Sequence, residues 1–171
     1  NGNKTIMATK THLLQGKALY PKLLKPVGGY PNGEGPLEWT VDVVLDGKGI
    51  KDYLATGGDK RYIKERPTGE KYIRFSRKAI KRDNSPAQPF NLYDHHNNVW
   101  PADLKIGNGS TLNVSYVLNE RGTGKDKRLK PAALAFQVWD HVPFVPPSVF
   151  QSKEEDDAPE SAEQSGPSKN W

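Results

Sequence analysis

Arg61-Tyr62-Ile63-Lys64-Glu65-Arg66-Pro67-Thr68-Gly69-Glu70-Lys71-Tyr72-Ile73-Arg74-Phe75-Ser76-Arg77-Lys78 decides how the rest of the chain is read. Two alternating runs flank Pro67-Thr68-Gly69. A three-residue hairpin loop needs a residue that tolerates positive φ at its last position, and Gly69 supplies it. Pro67 suits the first position, where φ near about −65° is wanted. This loop sets Arg66 opposite Glu70, Lys64 opposite Tyr72, Tyr62 opposite Arg74, and Ile63 opposite Ile73. A two-residue loop would slip the register by one, put Ile63 against Arg74 and mix the faces. The three-residue alignment sorts them. Ile63, Ile73 and Phe75 turn toward a core, while Tyr62, Lys64, Arg66, Tyr72, Arg74 and Lys78 face the other way.

The pattern continues on both sides. Upstream, Trp39, Val41, Val43 and Leu45 alternate with Glu38, Thr40 and Asp42, the period of a half-buried strand. A short helix is expected over Ile50 to Ala55, closed by Gly57-Gly58. Residues 8–36, rich in Gly and Pro, read as an extended lead-in with turns. Downstream, a turn is expected near His95 to Asn98. Strands follow over Thr111–Asn119 (Leu112, Val114, Tyr116 and Leu118 inward) and Ala132–Val142 (Leu134, Phe136 and Val138 inward). Five to seven short strands with almost no helix predict an all-β domain, and a five-stranded antiparallel OB barrel is the natural candidate.

Charge divides the chain. The 171 residues carry +5 overall. Residues 151–171 hold six acids against Lys153 and Lys169, which is −4, so residues 1–150 carry +9. A basic body with an acidic end is the asymmetry of nucleic-acid proteins. Residues 1–7, which include the single methionine Met7, are read as an extension or cloning remnant; residues 8–150 form the domain. Residues 151–171 have too little apolar content to order themselves and form an acidic tail. Trp171 ends that tail as an anchor for a partner's pocket, with Asp156, Asp157 and Glu160 supplying charge. Without cysteine there is neither a disulfide framework nor a zinc–thiolate site. No apolar run reaches the roughly 18 residues of a membrane span.

A ligand with unstacked bases on a charged backbone needs aromatic platforms beside cations. The outward hairpin face offers Tyr62 and Tyr72 among Lys64, Arg66, Arg74 and Lys78. The loop Glu120–Lys130, net +3, adds Arg121, Lys125, Lys127 and Arg128 as phosphate clamps. Tyr93, Trp100 and Trp139 are read first as packing aromatics. His95-His96 beside Asp94 reads as a turn rather than a metal site, because adjacent residues seldom converge on one ion. No nucleophile elbow, phosphate loop or paired acid and base is present, so no enzyme, cofactor or metal is expected. Single-stranded DNA is the expected ligand. An RNA-binding OB module and a barrel that binds only protein remain as alternatives.

The run Gly16-Lys17-Ala18-Leu19-Tyr20-Pro21-Lys22-Leu23-Leu24-Lys25-Pro26, then Ile106-Gly107-Asn108-Gly109-Ser110 entering a strand, resembles the single-stranded DNA-binding proteins of autographivirus bacteriophages, the T-seven group. So does an acidic tail ending in an aromatic, here Trp171 where the family has Phe. The resemblance implies an OB fold, a homodimer, and a part in phage DNA replication, recombination, repair and strand annealing in the cytoplasm of the infected host. It further implies that the tail contacts the phage DNA polymerase and helicase-primase, and competes with DNA for the barrel groove.

Overall fold

The computed structural model describes residues 10–29 and 33–146. The extension 1–7, the tail 151–171 and its residues Asp156, Asp157, Glu160 and Trp171 lie outside the described residues. The strands are β1 (His12–Gly28), β2 (Leu37–Leu45), β3 (Ile63–Glu65), β4 (Lys71–Lys78), β5 (Asn91–Tyr93), β6 (Thr111–Arg121) and β7 (Arg128–Asp140). One α-helix, α1 (Gly47–Ala55), follows β2. Asp46 starts it one turn earlier than the apolar periodicity suggested, because its Oδ1 accepts a hydrogen bond from Gly49 N at 2.7 Å.

The pivotal hairpin forms in the register the loop chemistry requires. Ile63 pairs with Ile73, Lys64 with Tyr72, and Glu65 with Lys71. Arg66 N donates to Glu70 O at 2.8 Å across the loop, and Gly69 sits at φ 95°. Ile73 and Phe75 are buried, with Val41, Val43, Leu112, Val114, Tyr116, Phe136 and Val138 around them. Phe136 meets Phe75 and Phe90 edge-on, with ring centroids 6.1 and 5.1 Å apart. Burial raises the Tyr53 phenol well above its ordinary range and pushes the Tyr116 phenol up as well.

Two expectations are corrected here. The Gly- and Pro-rich lead-in is extended as read, but His12–Gly28 of it is one continuous 17-residue strand, the longest of the seven, rather than a run interrupted by turns. Irregularities between Leu19 and Lys22 and between Lys22 and Val27 absorb Pro21 and Pro26 without ending the strand. The closed five-stranded barrel is instead a single seven-stranded sheet in the order β3-β4-β2-β1-β6-β7-β5, with β5 parallel to β7. No ladder joins β4 to β7. Pro131 has no N–H to offer there, and Ala133 O is taken by Arg77 Nη2 at 3.2 Å. Side chains therefore fill the seam, and one backbone bond, Asp59 N to Leu129 O at 3.2 Å, crosses near it.

The two runs that carried the resemblance meet in space. Gly109 N donates to Ala18 O at 2.7 Å, Ala18 N to Ser110 O at 2.8 Å, and Tyr20 N to Asn108 Oδ1 at 2.6 Å. They lock β1 against the entry to β6, and Ser110 is fully buried there. Their role is architectural.

Candidate nucleic-acid interface

The outer side of β2 and β4 presents Glu38, Thr40, Asp42 and Val44 opposite Lys78, Ser76, Arg74 and Tyr72. Lys64 joins them from β3 beside Tyr72. Tyr72 is half-buried, and the Arg74 guanidinium lies 5.9 Å from its ring centroid. The rings of the expected patch do not both lie on the ribbon, however. Tyr62 belongs to a 3-10 turn, Lys60–Tyr62, where Asp59 accepts from Arg61 N, and so Tyr62 does not pair with Arg74. Its phenol oxygen accepts a hydrogen bond from Arg128 Nε at 2.8 Å, with Lys130 Nζ 6.0 Å from its ring centroid.

This displacement joins two groups of candidates that the sequence keeps far apart. The β6–β7 loop packs on the 3-10 turn. Arg61 bridges Asp59 and Asp126 at 3.0 Å each, and Arg128 reaches Asp126 Oδ2 at 2.8 Å. The Tyr62 hydrogen bond, more than any charge, raises the Arg128 guanidinium above its usual range. Hydrogen bonds from the Arg61 side chain and backbone hold the Asp59 carboxyl down at about 2. Its folded value is lowered, so the tie is fully present above the ordinary carboxylate value of 3.8 and loosens only as pH falls toward 2.

The cations divide into those with an acid and those without. Arg74 is held by Asp42 through two hydrogen bonds at 2.7 and 3.0 Å. Arg66 pairs with Glu70, Lys71 with Glu65 at 3.4 Å, and Lys78 with Glu38 at 3.8 Å. Lys127 reaches Glu120 at 3.8 Å. Among the described residues Lys60, Lys64 and Lys125 form no ion pair, and Arg121 donates only to Glu120 O. Within the candidate set the open charge therefore lies on Lys64 and in the loop, while Arg74 and Lys78 of the β2–β4 surface each hold an acid.

Two shallow grooves frame this surface. One, of about 290 Å³, is lined by Tyr20, Val27, Gly28, Thr40, Asp42 and Arg74, among others. The other, of about 270 Å³, has an Ile50 and Ile63 floor and a rim of Lys60, Lys64 and Lys71 with Glu65. The lysine-rimmed groove escaped the sequence reading, since it needs α1 folded against β3.

Other candidates resolve simply. His95 and His96 sit in a turn capped by Asp94, whose Oδ1 accepts from His96 N and Asn98 N at 2.9 Å each. Trp100 is buried, with Nε1 bonded to Leu104 O at 2.7 Å; Trp139 is exposed on the far side of β7. Leu134, expected inward, is 40% exposed because β7 shifts register where Ser115 pairs with Ala135 and Tyr116 with Ala133. Among the described residues no group of three or more His, Asp or Glu could hold a metal ion, and no helix is long and apolar enough to cross a membrane.

No family model matches the chain, and no curated protein matches it in sequence. Solved structures do match. The gp2.5 single-stranded DNA-binding protein encoded by bacteriophage T7 superposes with a TM-score of 0.55 at 16% identity, covering 88% of this chain and 100% of its own. The single-stranded DNA-binding protein of bacteriophage Enc34, solved with ssDNA, gives 0.53 at 14% identity, over 79% of this chain and 89% of its own. A further structure of that protein gives 0.52 at 12% identity, over 85% of this chain and 87% of its own. In fold, this chain is similar to the single-stranded DNA-binding proteins of bacteriophages.

Proposed function

We propose that the chain binds single-stranded DNA without sequence preference and coats DNA intermediates in phage replication, recombination and repair, promoting annealing. It is a binding protein, not an enzyme, and the solved proteins that share its fold are named for single-stranded DNA binding. One observation carries the reading: Tyr72 and the unpaired Lys64 face each other on the outer side of the β3–β4 ribbon, in the predicted register. The Tyr62–Arg128–Lys130 cluster adds a second aromatic set among cations. Strands run past both, with bases on the tyrosines and phosphates on Lys64, Arg121 and Lys125, while Lys127 and Arg128 stand beside them holding Glu120 and Asp126. Arg66, Arg74 and Lys78, each already holding an acid, border that path.

Titration of matched unstructured DNA and RNA strands and a duplex, at several salt concentrations, tests this. The expected order is single-stranded DNA first, with log affinity falling linearly in log salt at about 0.7 per phosphate contacted. Tighter binding to RNA would move the assignment to an RNA module. No binding to either strand would leave a protein-interaction domain.

The tail, net −4 on a +9 body, is proposed to compete with DNA at high effective concentration and to recruit the phage polymerase and helicase-primase through Trp171. The homodimer is proposed to pair through the outer face of β1, β6 and β7. That face carries an uncharged amide chain in which Gln15 donates to Asn113 and Asn113 to Gln137 at 2.8 Å each, and Gln137 to Asn97 at 3.0 Å. Amides that satisfy one another lose little when covered, and two basic bodies approach best where neither is charged. Leu13, 75% exposed beside this chain, is the probe. Leu13→Lys is expected to weaken self-association at least about a hundredfold by sedimentation, since like charges then face each other.

A further inference from the structure

Asp42 is an unusual residue to find beneath a surface that holds polyanions. Only 7% of it is exposed, although it projects from the outer side of β2 and not into the core. Both its oxygens accept from Arg74, Oδ1 from Nε at 2.7 Å and Oδ2 from Nη2 at 3.0 Å. This two-pronged arrangement is also how a guanidinium takes a phosphodiester. Arg74 itself remains half-exposed, with a side-chain exposure of 51%, and forms part of the wall of the 290 Å³ groove. The guanidinium is thus reachable by a ligand, and its Nε–Nη2 edge, one of its two bidentate forks, is already full.

We infer that Asp42 is an internal stand-in for phosphate: it occupies the site on Arg74 that a strand phosphodiester would otherwise take, and so limits how tightly this face holds DNA. The inference rests on the single-stranded DNA reading and specifies how affinity is set at that surface. The physical basis is a competition between two anions for one fork. Asp42 is tethered, pre-aligned by the β2–β4 pairing of Asp42 with Arg74, and shielded from water, so a mobile phosphate displaces it only at a cost. Glu38, 3.8 Å from Lys78 on the same two strands, repeats the arrangement more loosely. A coat that must be stripped from its DNA gains faster release from such built-in competition.

Asp42→Asn tests it. The amide removes the negative charge and sets NH₂ against one of the two Arg74 donors, leaving a single neutral acceptor in place of the two-pronged pair while keeping the side-chain shape. Equilibrium binding to an unstructured oligonucleotide, measured over a salt series on the full chain, should tighten about tenfold at low salt. The slope of log affinity against log salt should steepen by about 0.7, the increment for one added phosphate contact. Arg74→Ala should then cost more in the Asp42→Asn background than in the wild type, because only there is the Nε–Nη2 edge open to a phosphate. Thermal melting checks that the variant is folded; should Asp42→Asn unfold, Asp42→Thr serves, a β-branched residue suited to the strand. An unchanged slope in a folded, DNA-binding variant overturns the inference, as does a gain that survives Arg74→Ala. Failure of the wild type to bind single strands at all would instead remove the functional reading beneath it.

Discussion

Tyr72→Ala is expected to weaken binding to an unstructured DNA strand by about 1–3 kcal/mol, roughly 5- to 150-fold, with the melting temperature barely moved. The ring is half-buried on the outer side of β4, away from Ile73 and Phe75, which turn inward and hold the strand. Lys64 lies beside it on β3, so a base stacked on the ring brings its phosphate toward a cation that no acid neutralises. Tyr72→Phe separates stacking from hydrogen bonding. If stacking carries the contact, the Phe variant retains most of the affinity; if it binds as weakly as the Ala variant, the ring is not a platform. Fluorescence anisotropy at fixed salt is sufficient for the comparison. Because a ring deletion removes no charge, the salt slope should be unchanged.

Gly16→Ala is expected to destabilise the fold by about 3 kcal/mol and to lower the melting temperature by roughly 10 °C. Gly16 lies where β1 leaves β6 and takes up β2: it pairs with Leu112, and the next residue, Lys17, pairs with both Thr111 and Val44. A β-carbon there would stand 2.4 Å from Val44 O and 2.6 Å from Val43 Cγ1. The first contact is backbone and cannot swing aside. Relief requires parting β1 from β2, strands that bury Leu14, Ala18, Leu23, Trp39, Val41, Val43 and Leu45. Thermal melting of the variant measures the effect, and an Ala variant as stable as the wild type would mean that this crossing is looser than the contact implies.

The candidate site was legible in the sequence only where local chemistry controlled it. Pro67 and Gly69 fix a loop length, the loop length fixes a register, and the register placed Lys64 beside Tyr72 as read. The same reasoning failed for Tyr62 by a single residue. Alternation continued a strand through it, whereas Asp59 accepts from Arg61 N and ends the strand in a 3-10 turn. An Asp directly before the basic pair Lys60-Arg61 was the available signal, a side-chain cap competing with the ladder. The charge count was equally incomplete. Sequence gave the cations of the hairpin face but not their acids, since Asp42 and Glu38 lie some thirty to forty residues away and meet Arg74 and Lys78 only through the β2–β4 register.

From its own residues this chain determined an all-β domain, the hairpin alignment, the inward rows of β2, β4 and β6, and a basic body with an acidic end. Each of these follows from periodicity, turn chemistry or charge, which act over a few residues or need no geometry at all. The tertiary structure alone decided that the Pro-rich lead-in is the longest strand, because β2 and β6 on its two sides supply hydrogen bonds that outweigh its poor propensity. It alone decided that the sheet stays open beside Pro131, that Tyr62 joins Arg128, and that Asp42 holds Arg74. Those are pairings across long stretches of chain, and no local pattern encodes which distant partner will complete them.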